Sequence, residues 1–201
     1  MNNDYAFIPM SSFNSYFSQS NMEILFTWAV DNFNSFQIFI MNSASIYNLL
    51  AIGYSEANAK KKVKKHDNNL INKVITSLQN IGFSKHEAKD KILLLSDISN
   101  NDMYIKMHCK YCNLFNDNVV FRNICLDAAT SVLLKKKING NAVVAANYIL
   151  AELPLLENIP SILNIESCVL VYKDFPIWWT KMYDEFIDIC ERQKIFIKCL
   201  T

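Results

Sequence analysis

A chain of 201 residues that is 51% hydrophobic can bury one sizeable core, and one domain is the expected count. A net charge of +1 excludes a polycation, so any grip on nucleic acid must come from a local patch. No uninterrupted apolar run reaches the roughly 18 residues of a membrane span. The first residues, "MNNDYAFIPM", also lack the basic-then-apolar pattern of a signal peptide. A soluble, cytoplasmic protein with no membrane partner is expected. Six cysteines in that setting read as free, mostly buried thiols.

Taken in chain order, "YAFIPM" (5–10) reads as a buried strand. A stretch rich in serine and asparagine follows. Ser20 with Glu23 then has capping-box spacing and opens an amphipathic helix over 22–33. "FQIFIM" (36–41) is a second continuous apolar run, the pattern of a buried parallel strand. A short helix around 45–52 ends near Gly53, and a long one over about 55–81 is closed by Gly82. "MYIKMHC" (103–109) is a third strand candidate. Helices over about 117–136 and 141–153 are separated by Asn139 and Gly140. "CVLVY" (168–172) is a fourth strand, a helix opens at Pro176, and "IFIKCL" closes the chain as a fifth strand. Apolar strands alternating with helices predict an α/β fold with a largely parallel five-stranded sheet.

Several chemistries are disfavoured. Neither a G-x-G-x-x-G nor a phosphate-cradling loop occurs, and only three glycines exist to build either. His66, His86 and His108 are not flanked as triad members. His108, Cys109 and Cys112 in "HCKYC" offer half a zinc site, but no second close pair exists, so no metal is expected.

Ligands of open α/β sheets bind at the carboxyl ends of the strands. Ser11 directly follows the first strand and Tyr172 ends the fourth. Composition does not choose between Ser11, Ser12, Ser15 and Ser18. In "NYILAELP" (147–154), Tyr148 and Glu152 are four apart and share a helix face. Pro154 predicts a helix stop near Leu153. That would set the Glu152 carboxylate in the last turn, where the dipole disfavours it. A ligand ammonium group would relieve the conflict; a solvated glutamate at a frayed end is the plainer reading. In "AKKKVKKHDNN" (59–69), Lys60 with Lys64 and Lys61 with Lys65 are like-charge pairs costing about 0.2–0.5 kcal/mol each. Lys62 and Lys73 extend the patch. A phosphate backbone would reverse that cost; a solvated face is the alternative.

Together, "SSFNSYFSQSNMEILFTWA" (11–29), "NYILAELPLL" (147–156) and "SCVLVY" (167–172) resemble the cyclodipeptide synthases. That family carries a G-x-S-x-x-N-S-Y-F-S loop, a Y-x-x-x-E-x-P motif and an apolar strand ending in tyrosine. The resemblance covers nearly the whole chain and implies one catalytic domain over 1–201. It implies a Rossmann-like fold similar to class I tyrosyl- and tryptophanyl-tRNA synthetases, two aminoacyl-tRNAs as substrates, no cofactor, and a monomer. The absence of H-I-G-H and K-M-S-K-S motifs agrees that amino acids arrive already activated.

Carried over residue by residue, the resemblance makes Ser11 the nucleophile, and Tyr148 and Glu152 the holders of the α-amino group. Tyr172 assists cyclisation, and Asn14 orders the loop and marks one family subgroup. Lys60, Lys61, Lys62, Lys64, Lys65 and Lys73 would bind tRNA. Phe7, Pro9, Phe39, Leu155 and Leu170 would line the first aminoacyl pocket. The chain departs from the pattern in three places. Pro9 replaces the family glycine, Ser12 and Phe13 replace residues that are often small, and Lys173 and Asp174 are atypical after the strand tyrosine. Pro9 and Phe13 are expected to reshape the first pocket. A non-catalytic tRNA-binding module is the alternative function, and a generic serine hydrolase a distant third.

Overall fold

A computed structural model describes residues 5–135, 137, 139–172 and 177–197. The described strands are β1 (Tyr5–Met10), β2 (Ser35–Ile40), β3 (Ile92–Leu94), β4 (Cys168–Tyr172) and β5 (Gln193–Ile197). The helices are α1 (Gln19–Asn32), α2 (Ile46–Leu50), α3 (Glu56–Asn80), α4 (Lys85–Asp90), α5 (Leu95–Ile98), α6 (Asp102–Asp117), α7 (Val119–Lys135), α8 (Ala142–Leu163) and α9 (Ile177–Phe186). Every pairing is parallel and the spatial order is β3-β2-β1-β4-β5. This is the Rossmann-like α/β arrangement expected from alternating apolar strands and helices.

Both faces of the sheet are covered at its centre, which is why β1, β2 and β4 are mostly apolar. Phe7, Phe39 and Leu170 belong to a core completed by α6, α7 and α8, with the Phe7 and Phe39 rings stacked at 5.1 Å. Ala6, Ile8, Met10, Ile38, Ile40, Val169 and Val171 face α1 and α3. The period-2 alternation of strand side chains divides the two sets. Connections run from β1 to β2 on one side and return to β4 on the other, so strand order reverses at β1 and β4. That switch point is where open α/β sheets hold their ligands. The β1–β4 ladder couples Ala6 with Val169 and Phe7 with Leu170. Pro9 lies beyond it, so β1 is edge-like on that side, where a missing N–H is tolerated.

Three expectations are corrected. The helix after the serine loop starts earlier than Ser20: Ser18 is extended (φ −71°, ψ 159°), and its side chain accepts from the Asn21 N–H. Glu23 instead accepts from Gln19 and Asn80. The segment 103–109 is helical, and the third strand is Ile92–Leu94. Asn101 caps that helix by accepting from the N–H groups of Met103 and Tyr104, and Tyr104, Met107 and Tyr111 recur at helical spacing on its buried side. The Pro176 helix start, Lys173, Asp174 and Cys199 lie outside the described residues.

The third correction concerns α8, which passes through Pro154 and Pro160 rather than stopping near Leu153. Leu156 C=O would bond the N–H that Pro160 lacks. Instead the buried Gln193 side chain donates to Leu156 and Leu155 carbonyls at 2.7 and 3.1 Å and accepts from the Ile159 N–H at 2.7 Å. These bonds bridge the break at Asn158 (φ −158°, ψ 67°). Gln193→Ala orphans three buried backbone groups and is expected to destabilise the protein by about 3 kcal/mol, measured by urea unfolding. By length and composition α8 could cross a membrane, but most of that window is buried. Packed against α2, α6 and α7, it serves as the central core helix.

Candidate active site

Ser11 is the first residue beyond β1, at the switch point. A tight turn holds it, with the Asn14 N–H donating to Ser11 C=O at 3.1 Å. The Asn14 side chain then accepts from the Tyr16 N–H at 3.0 Å, the kind of local bond that fixes an asparagine-centred turn. Asn14 thus orders the loop.

Tyr148 and Glu152 project from one face of α8, and Tyr172 closes β4. Tyr172 OH donates to Glu152 Oε1 at 3.1 Å. The Ser11 side chain lies beside Tyr148 and favours its ionised form. Ser11, Tyr148, Glu152 and Tyr172, separated by 161 positions of sequence from first to last, therefore meet in one recess.

The electrostatics mark this recess as unusual. Burial pushes the Glu152 carboxyl up to about 7, although the Tyr172 hydrogen bond opposes the shift. Among the described residues no salt bridge reaches Glu152. Burial, then the Glu152 charge, drive the Tyr172 hydroxyl well above its ordinary range. Burial and the Glu152 charge also raise Tyr148, against the opposing effect of Ser11. All three side chains still keep part of their surface open. A deep carboxylate that no cation neutralises, yet that a small molecule can reach, suits a ligand ammonium group. The conflict expected at a helix end is not its origin, since α8 runs on to Leu163. Desolvation supplies it instead.

Phe7, Phe39, Leu155 and Leu170 are buried together in the core against which Tyr148 and Tyr172 pack, and Pro9 lies opposite Phe39. Phe13 turns the other way, toward α3, with its ring 4.7 Å from that of His66. The lysines sit on α3. Lys60 pairs with Glu56 at 2.5 Å, and Lys62 donates to Tyr54 OH at 2.7 Å. Lys61, Lys64, Lys65 and Lys73 are exposed. His108 and Cys112 are 3.7 Å apart on α6, and among the described residues no cluster of metal-ligating groups forms there.

Sequence reasoning missed Asp67. It is buried, and its carboxylate accepts from the Ser12 hydroxyl, next to Ser11. Its charge also acts on Tyr148. The signal was legible: Ala59, Val63, Leu70, Val74 and Leu78 form the apolar stripe of α3, and Asp67 sits within it. Asp67→Ala is expected to loosen the Ser11 loop and slow acylation of Ser11 about 10- to 100-fold. Asp67→Asn, which still accepts from Ser12, should recover most of that. Rapid-quench mass spectrometry of the intact protein reads both.

An open parallel sheet with a hydroxyl loop facing a half-buried carboxylate across its switch point defines a Rossmann-like domain with its polar groups gathered where such sheets hold ligands. The family model for cyclodipeptide synthase matches residues 1–192, and the chain belongs to the cyclodipeptide synthase family. It is 28% identical to the cyclo(L-leucyl-L-phenylalanyl) synthase of Streptomyces noursei over 181 residues, 87% of this chain and 75% of that protein. The solved structure of the Staphylococcus haemolyticus cyclodipeptide synthase superposes with a TM-score of 0.85 at 26% identity, covering 97% of this chain and 90% of that one. A Mycobacterium tuberculosis protein, whose structure relates cyclodipeptide synthetases to type I tRNA synthetases, shares the fold. Its TM-score is 0.79 at 23% identity, over 96% of this chain and 84% of that one.

Proposed function

We propose that the protein makes a cyclic dipeptide from two aminoacyl-tRNAs by a ping-pong mechanism on Ser11. The observation that carries this reading is the convergence of Ser11, Tyr148, Glu152 and Tyr172 at the switch point. Ser11 Oγ attacks the ester carbon of the first aminoacyl-tRNA. The ribose hydroxyl leaves with the proton, and an aminoacyl ester remains on Ser11. Glu152 and Tyr148 hold the α-ammonium group.

A carboxyl pushed to about 7 can then take a proton from that ammonium group. The freed amine attacks the ester of the second aminoacyl-tRNA, and a dipeptidyl ester is left on Ser11. Its terminal amine attacks the Ser11 ester, closing a diketopiperazine and restoring the hydroxyl. Two ester bonds break and two amide bonds form, so neither ATP nor any cofactor is needed. Tyr172, bonded to Glu152, relays protons during closure. Phe7, Pro9, Phe39, Leu155 and Leu170 favour an apolar first aminoacyl group, and Lys61, Lys64 and Lys65 take the tRNA phosphates. The enzyme acts as a monomer.

The test is mass spectrometry of medium from expressing cells, together with the intact-protein mass after incubation with aminoacyl-tRNA. Diketopiperazines and an aminoacyl adduct are expected. Binding of tRNA with neither product would instead identify a tRNA-binding module without chemistry.

A further inference from the structure

A second recess of about 720 Å³ opens on the other side of the serine loop. The aminoacyl chemistry at Glu152 makes no use of it. Loop residues Ser12, Phe13 and Asn14 form one wall, and His66, Asn69 and Lys73 of α3 form the other. With Lys62, the α3 side chains recur at i, i+4, i+7 and i+11, so they share one stripe, of which His66, Asn69 and Lys73 face the loop and Lys62 turns to Tyr54. The stripe is about 17 Å long at 1.5 Å per residue. It offers an aromatic pair between two lysines. Phe13 and His66 separate this recess from a smaller one of about 280 Å³ that Lys62, Leu49 and Ile52 line.

That chemistry matches a nucleotide. Aromatic faces take a base without regard to sequence, lysines take phosphates, and amides take ribose or base edges. Position limits the candidates further. An ester attacked by Ser11 places its ribose within a few ångströms of Ser11, and the recess begins one residue away, at about 3.8 Å between α-carbons. Resting on the function proposed above, we propose that this recess receives the 3′-terminal nucleotide of the first aminoacyl-tRNA. Its base stacks on the Phe13–His66 pair, and Lys73 meets its 5′-phosphate. Phe13, one of the departures from the family pattern, thereby reads the tRNA end rather than the amino acid.

The test compares acylation of Ser11 by aminoacyl-tRNA with acylation by an activated aminoacyl ester that carries no nucleotide. Phe13→Ala is expected to slow the first roughly 5- to 150-fold more than the second, the range of one lost base stack. Phe13→Tyr should restore the difference. Adenosine 5′-monophosphate should compete with aminoacyl-tRNA in the parent protein and fail to do so in Phe13→Ala. Equal slowing with both substrates would make Phe13 a loop support and overturn the proposal, as would no slowing with either. If the parent protein forms no adduct with either substrate, the Ser11 chemistry itself fails and the nucleotide site falls with it. An adduct that forms but ignores Phe13 removes only the nucleotide site.

Discussion

Ser11→Ala is expected to abolish both the aminoacyl adduct and the cyclic dipeptide, lowering turnover on the order of 10⁴-fold or more. The size follows from the chemistry. Without Oγ no ester can form, so nothing anchors the first aminoacyl group while the second arrives. A bimolecular encounter of two tRNAs would have to replace an intramolecular step, losing the large effective concentration of a held reactant. Tyr148 would also lose its Ser11 neighbour, but its remaining contacts lie on α8 and in the core, so the fold should survive. Binding of tRNA to the α3 lysines should persist, because Ser11 contributes no charge. Ser12→Ala is the matched control. It removes a neighbouring hydroxyl and the Asp67 bond, yet leaves the nucleophile in place. Product formation should be slowed but not abolished. An adduct that survives in Ser11→Ala and maps to Ser12 or Ser15 would assign the nucleophile elsewhere in the loop.

The layout of the sheet was legible because both of its faces are buried. Continuous apolar runs at 5–10, 36–41 and 168–172 could be little else than parallel strands, and they place Ser11 and Tyr172 at carboxyl ends. What failed was the short edge. β3 is only three residues long, too few for a pattern, while α6 begins with a largely apolar stretch, Met103 to Cys109, that mimics a strand over seven. The prolines of α8 also misled, since at Asn158 and Pro160 a side chain from β5, more than thirty positions later in sequence, supplies the partners that the break removes. No local reading contains Gln193. Glu152 was singled out for the wrong physical reason, helix-end electrostatics instead of desolvation, because the true helix length was hidden by Pro154.

The α3 helix gained a second role from the structure. Its lysines were visible as a charged run, but the carboxylate in its apolar stripe was not weighed. Asp67 links that helix to the serine loop through Ser12. The lysine-rich helix and the serine loop are thus joined by one part-buried hydrogen bond and one ring contact.

Glu152→Gln should destroy activity while stabilising the protein, and the stabilisation should depend on pH. In the folded protein the Glu152 carboxyl titrates near 7, against an ordinary 4.5. Between those values the native state binds more protons than the unfolded chain, so stability falls as pH rises through the window and is level above it. The full difference amounts to no more than about 3 kcal/mol at pH 8. Glutamine has no charge to desolvate, and its amide oxygen can still accept from Tyr172. The variant should therefore match the parent near pH 4.5 and exceed it by up to about 3 kcal/mol at pH 8, measured by urea unfolding at both values. Activity should move the opposite way. Parent acylation should rise with pH through about 7 as the carboxylate forms. Glutamine cannot pair with the ammonium or take its proton, so product formation should fall about 10³-fold, within the combined range of a lost ion pair and a lost general base. A variant that loses activity without gaining stability at pH 8 would mean that Glu152 is already neutralised by a cation in the free protein. Its uncompensated charge would then not be what prepares the site for an amine.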